Sequence, residues 1–233
     1  MPESYLGYAE YFISKPHAIV KLPLDKLEAH LFTVAQPLST ILRAMSSTEG
    51  VINKNCAIVG QGPIGLIFTN LFHVMGARHV YAIDPLDYRL DLAKKMGATH
   101  VTRDSDIELV EWVKEITSGE MIDFCVEAVG EPDALSTAAY IVRPGGRLLI
   151  FGVPINQTQE FPVYHVFRNE INITASVGPQ CASFFEIAVD MVSGGRLDLT
   201  RIVRPVVSWD KAVDAFKMYD ERAKGSLKAV LKF

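Results

Sequence analysis

The chain has 233 residues, of which 49% are hydrophobic and 21% charged, and a formal net charge of −4. This is a globular composition, and at roughly 150 residues per domain it accommodates one large domain, or one with part of a second attached. No Lys/Arg block marks a nucleic acid or anionic membrane as a partner, and apolar runs such as Leu148 to Pro154 fall far short of the ~20 residues of a membrane span.

The first residues, MPESYLGYAEYF, lack the basic start and apolar stretch of a secretory signal, so a cytoplasmic chain is expected. Tyr8 to Ile13 reads as a short strand, prolines stand at 16, 23 and 37, and Leu38 to Met45 has a helical apolar pattern. From about Asn53 short β-branched runs alternate with segments of helical period, the rhythm of repeated βα units around a parallel sheet. A strand is predicted over Cys56–Gly60, a helix over Pro63–Met75 closed by Gly76, a strand over His79–Ile83 and a helix over Leu86–Met96. A helix over Asp106–Thr117, a strand over Met121–Ala128 and a helix over Pro132–Val142 follow, with a turn at Pro144-Gly145-Gly146. Strands are expected at Leu148–Val153 and Ile171–Val177, then helices around Phe184–Val192 and Lys211–Ala223, and a last strand at Leu227–Phe233. The fold class is therefore α/β, a doubly wound parallel sheet, with the first residues forming the edge of another domain that the resemblance described below implies is the remnant of a mostly β one. The proposed division is residues 1–45 for the remnant, 46–178 for the nucleotide domain and 179–233 for a returning C-terminal segment. The three cysteines, Cys56, Cys125 and Cys181, lie far apart and read as reduced core residues.

Gly60, Gly62 and Gly65 form G-x-G-x-x-G between a strand and a helix. In that context Gly60 permits a tight turn, Gly62 lets the backbone approach a pyrophosphate and Gly65 allows close helix packing, while the helix N-terminus attracts the anion. Asp84 ends the second strand 19 positions after Gly65, where a carboxylate accepts hydrogen bonds from the adenosine ribose and repels a 2′-phosphate. The cofactor is expected to be NAD. The competing reading of Asp84 is a helix-capping aspartate. A methyltransferase also seats adenosine after two such strands, but its loop reads G-x-G-x-G and position 64 here is Ile.

These residues resemble a known family, the zinc-type alcohol and polyol dehydrogenases of the medium-chain dehydrogenase/reductase superfamily. The resemblance runs through GYAEYFISKPHAIVKLP, AIVGQGPIGL, RLDLAKKMGATHV, DFCVEAVG, PGGRLLIFGVP and SLKAVLKF, in order along the chain. It assigns Gly60, Gly62, Pro63, Ile64 and Gly65 to the pyrophosphate loop, and Asp84 and Arg89 to the adenosine ribose. It places Val129 beside the adenosine, Gly152, Val153 and Val177 at backbone positions that hold the nicotinamide carboxamide, and Lys228 at the pyrophosphate. It implies hydride transfer between an alcohol and NAD in the complete family, and a homodimer paired through Ile171–Val177, which lacks the charges or proline that protect an exposed edge.

The family's zinc ligands precede this chain except for one position, in AQPLS, where Gln36 replaces the relatives' Glu. A neutral amide is a poor zinc ligand. The six histidines form no i, i+4 pair, and Tyr11 with Lys15 spaces Y-x-x-x-K in the wrong place for short-chain chemistry. No metal is expected and no catalytic residue is assigned. Alcohol oxidation should be weak or absent unless the catalytic domain is supplied. Two alternatives stay open: a non-catalytic NAD-sensing or interaction subunit, and a zinc-independent reductase of the same superfamily.

Overall fold

A computed structural model describes residues 8–11, 13–15, 19–103, 106–178, 182–223 and 225–233. Six strands, β1 (Asn55–Val59), β2 (His79–Ile83), β3 (His100–Thr102), β4 (Ile122–Glu127), β5 (Val142–Ile150) and β6 (Asn172–Ala175), form one sheet in the order β3-β2-β1-β4-β5-β6. Every pairing in it is parallel. The helices are α1 (Ala35–Ser46), α2 (Pro63–Val74), α3 (Asp87–Lys95), α4 (Asp106–Ile116), α5 (Pro132–Tyr140), α6 (Val163–Arg168), α7 (Ala182–Ser193) and α8 (Ala212–Asp220). β7 (Val203–Ser208) and β8 (Lys228–Lys232) make a separate parallel pair. The doubly wound sheet expected from the sequence is what the chain builds.

The central strands read as unbroken apolar runs because helices cover both faces of the sheet. All five residues of β1 are buried. Alternation along it sends Cys56 and Ile58 into a core with Leu66, Phe68 and Phe72, and Ala57 and Val59 into a second core with Tyr81, Leu109 and Leu148. Cys56 lies in the first core and Cys125 in the second, so the two thiols cannot bond across the sheet. Burial pushes the Cys56 thiol up to about 12. Cys181 lies outside the described residues. Helix α2 buries Leu66, Ile67, Phe68, Leu71 and Phe72 against β1. At roughly 1.5–3 kcal/mol per large apolar side chain, that face fixes the helix to the strand leaving the glycine loop.

Several local expectations are corrected. Tyr8 to Glu10 form bends and Tyr11 and Ile13 lie in no strand, while Phe12 lies outside the described residues. Pro144-Gly145-Gly146 lies inside β5, where the pairing with β4 jumps from Ile122↔Val142 to Phe124↔Arg147. The turn-forming residues bulge out of the strand and keep its direction, with Gly145 at φ 69°. The short β3, α6 and β7 were not foreseen. The last strand pairs with β7 and leaves β6 at the sheet edge. A 3-10 turn at Ala29–Val34 and helix α1 join the first core beside α7, through Phe32, Leu38, Ile41 and Val189. Among the described residues no helix is long and apolar enough to cross a membrane.

Candidate nucleotide site

The glycine loop shows three different reasons for having no side chain. Gly60 turns out of β1 at φ 92°, and a Cβ there would meet Val129 Cγ2 at 2.5 Å. A Cβ on Gly65 would lie 1.8 Å from the Gly60 carbonyl oxygen, so only glycine lets α2 start this close to the strand. Gly62 has an ordinary φ of −66° and no atom within 4 Å of where its Cβ would be. Neither conformation nor packing requires glycine there, and its bare backbone faces open space. Gly62 caps α2 without a side-chain hydrogen bond, Pro63 occupies the first turn, and no acidic residue neutralises that end. The first amides of the helix are therefore available to an anion.

Asp84 follows β2 and is only 2% exposed. Its Oδ2 accepts the Gln61 N–H at 2.7 Å and its Oδ1 the Leu86 N–H at 2.9 Å, so it pins the glycine loop and its own loop together. Arg89 Nη1 donates to the same Oδ2 at 3.3 Å. Burial opposes the charge on Arg89, but Asp84 beside it holds the guanidinium above its ordinary value. A carboxylate has about four acceptor sites, and three are filled here. One remains for a hydroxyl. The capping reading does not hold: the cap position of α3 is Leu86, without a side-chain capping bond, and Asp84 braces the loop before it.

Gly60, Gly62, Pro63, Ile64, Asp84, Arg89 and Val129 line one cleft of about 520 Å³, with the end of α8 on its far side. It opens at the carboxyl ends of β1, β2 and β4, where connections leave for opposite sides of the sheet and ligands of such folds bind. A second cleft of about 400 Å³ adjoins it through Pro63, Ile64, Tyr219 and Leu227, and contains Gln36 and Lys228. Burial pushes the Lys228 ammonium below its ordinary value. Among the described residues no carboxylate pairs with it, so a cation stands in the groove beside the open end of α2. Together the clefts make a continuous groove over the glycine loop with an acid at one end, a helix terminus without a side-chain cap in the middle and a lysine beyond.

Gly152, Val153 and Val177 line neither cleft, and the Val153 and Val177 side chains are 80% and 84% exposed. Gly152 instead packs where β4 and β5 leave the sheet. A Cβ on it would lie 2.2 Å from the Gly130 N, and one on Gly130 would lie 2.1 Å from the Val153 carbonyl. Beneath this crossing is Glu127, 1% exposed, whose Oε1 accepts the Val129 and Gly130 N–H groups at 2.6 and 2.7 Å. Burial raises its carboxyl above the ordinary value, against the lowering effect of those amides and of Gly152. Sequence reading took Glu127 as strand interior; the signal for it was an acid inside the apolar run DFCVEAVG.

Zinc does not fit the donors present. Gln36 offers a neutral amide, and among the described residues no three His, Cys, Asp or Glu side chains gather to hold a metal. Tyr11 is exposed and outside both clefts.

Comparison with known proteins agrees with this geometry. A family model described as zinc-binding dehydrogenase matches residues 63–194, more than half of the chain. The chain is 28% identical over 91% of its length to a sorbitol dehydrogenase of Bacillus subtilis, and 32% identical over 87% to an L-threonine 3-dehydrogenase of Caldanaerobacter subterraneus. It covers 59% and 57% of those two proteins, so it spans about three-fifths of the relatives it matches. The structure superposes on an alcohol dehydrogenase from Thermus sp. ATN1 with a TM-score of 0.82 at 26% identity, covering 91% of this chain and 62% of that one. With a family model matching more than half of its length, the chain belongs to the zinc-binding dehydrogenase family.

Proposed function

We propose that the chain is the NAD(H)-binding part of an alcohol or polyol dehydrogenase, a cytoplasmic protein whose nicotinamide would exchange hydride with a small alcohol on a catalytic domain. The observation that carries this reading is the groove itself, with Asp84 retaining one free acceptor site at the adenosine end and Lys228, without a carboxylate partner among the described residues, beyond the open end of α2. The chain's own residues bind and orient: Asp84 takes a ribose hydroxyl, the amides after Gly62 and Lys228 take the pyrophosphate, and Arg89 holds Asp84 in place. The resemblance assigns the nicotinamide to the backbones of Gly152, Val153 and Val177. We keep the division into residues 1–45, 46–178 and 179–233 as part of this reading. Gln36 favours little alcohol oxidation by the chain alone. Fluorescence titration should give a dissociation constant for NADH at least tenfold below that for NADPH, because a 2′-phosphate would face the Asp84 carboxylate. Equal affinities, or a preference for NADPH that survives Asp84→Ala, would overturn the assignment.

The same reading includes a homodimer through β6. The Ser176 N–H donates inward to Ile150 at 3.1 Å, so alternation along the strand turns the Ile173 and Ala175 N–H groups toward the open edge. Val163, Tyr164, Phe167 and Ile173 are exposed beside it. Pairing two such edges satisfies their backbone groups and removes an aggregation hazard. Light scattering should report about twice 25.8 kDa. Ala175→Pro, which deletes an outward donor, should shift the protein to monomer; a wild-type monomer at high concentration would end the proposal.

A further inference from the structure

The end of α8 crosses the mouth of the larger cleft and is fastened to both of its rims. Arg222, just past the helix, takes a left-handed backbone conformation with φ 50°, which a residue other than glycine keeps only where neighbours hold it. Its carbonyl oxygen accepts the Tyr88 hydroxyl at 3.3 Å, on the α3 side. Its guanidinium Nη2 donates to Glu131 Oε1 at 3.2 Å, on the α5 side. Glu131 is the cap residue of α5, yet its side chain makes no capping hydrogen bond.

The Tyr88 hydroxyl has a second partner. It accepts Arg89 Nε at 3.2 Å while donating to Arg222, as a phenol can. Arg89 in turn reaches Asp84. An unbroken chain of polar contacts therefore runs from Glu131 through Arg222, Tyr88 and Arg89 to Asp84, around the space where the ribose would sit. Four of its five members, Glu131, Arg222, Arg89 and Asp84, line that cleft. The Asp84–Arg89 end is buried, whereas Arg222 and Glu131 are more than half exposed. An exposed ion pair is weak and opens readily, a property suited to a closure that must release its ligand.

We propose that Tyr88 and Arg222 are positioning residues of the adenosine site, tying the end of α8 across the cleft so that Arg89 stays against Asp84 and a bound adenosine nucleotide is retained. This rests on reading the cleft as a dinucleotide site. The closure acts on escape more than on encounter, so its loss appears mainly in the dissociation rate.

The test uses the full chain with ADP-ribose as the probe, which occupies the adenosine end without a nicotinamide. Tyr88→Phe and Arg222→Ala should each raise the dissociation constant three- to tenfold, mainly through faster dissociation, at unchanged thermal midpoints. The double variant should be no weaker than the worse single one, because both break the same closure. Arg222→Lys, which can still pair with Glu131, should recover most of the loss. Hydrogen exchange at residues 219–223 should be faster in Tyr88→Phe than in wild type, with or without the probe. Single variants that match wild type in both dissociation rate and exchange overturn the closure while leaving the nucleotide reading intact. Failure of wild type to bind ADP-ribose overturns that reading, and the ligand proposed for the closure with it.

Discussion

Strands β2 and β4 lie on either side of β1, and each leads into a carboxylate that is almost wholly buried, Asp84 in one case and Glu127 in the other. Asp84 divides its bonds between two loops, taking the Gln61 amide from the glycine loop and the Leu86 amide from its own, and it has a cation, Arg89. Glu127 takes the Val129 and Gly130 amides of its own loop on Oε1 and the influence of the Gly152 amide from the loop after β5, and among the described residues has no cation. The first carboxylate faces a cleft and retains an acceptor site; the second is sealed under the crossing of Gly130 and Gly152. Equal place and burial thus leave the role undecided. What separates the acid proposed to bind from the structural one is whether it faces a cleft and whether a charge accompanies it.

The coarsest way to break the comparison is to fill the glycine contact at each end. Gly65→Ala, driven against the Gly60 carbonyl, and Gly130→Ala, driven against the Val153 carbonyl, should each cost about 3 kcal/mol by urea denaturation. Gly62→Ala meets nothing and should change stability by less than about 1 kcal/mol, yet weaken NADH at least tenfold by its methyl group in the anion's path. Equal destabilisation by all three would show that the three glycines share one role.

Truncating the acids sharpens the contrast. Glu127→Ala orphans the Val129 and Gly130 amides and should cost about 3 kcal/mol while weakening NADH less than Asp84→Ala does. Asp84→Ala should cost about 2 kcal/mol and also remove NADH binding, since Arg89 loses its partner and the ribose its acceptor. Retained binding in Asp84→Ala would erase the distinction between the two ends.

The smallest effect is in pH dependence. Glu127 has a carboxyl raised above the ordinary 4.5, so the folded state holds its proton more tightly than the unfolded state. Its contribution to stability is complete below pH 4.5 and is lost as pH rises through the folded value. Glu127→Gln should flatten that fall in denaturation curves taken from pH 4 to 7, and an unchanged slope would assign the fall to other groups.

The glycine loop, Asp84 and the alternating order of strands and helices were legible because each is a local pattern, with spacings of a few residues or one βα unit. β3 was not, because His100–Thr102 is too short to show alternation. Pro144-Gly145-Gly146 has true turn chemistry, and only the pairing of the neighbouring β4 reveals that the strand continues past it. Glu127 was hidden inside an apolar run, where an acid looks like a strand residue until its amide partners are seen. Tyr88 and Arg222 stand 134 positions apart, and no periodicity connects residues that only the packing of α8 brings together.

The wall shared by the two clefts, Tyr219 and Leu227 with Lys228 beside them, comes from chain that is synthesised after all six strands of the sheet. On a ribosome the strands and the glycine loop emerge first, but the core under β1 and α2 also contains Val189, Leu199, Ile202 and Leu227, so it closes only when the C-terminal segment joins. Until then Asp84 stands without Lys228 and without the wall that the two clefts share. On the nucleotide reading proposed above, the seat is complete only when α8 and β8 dock, so a ligand that needs both walls would meet a finished site only in the complete fold.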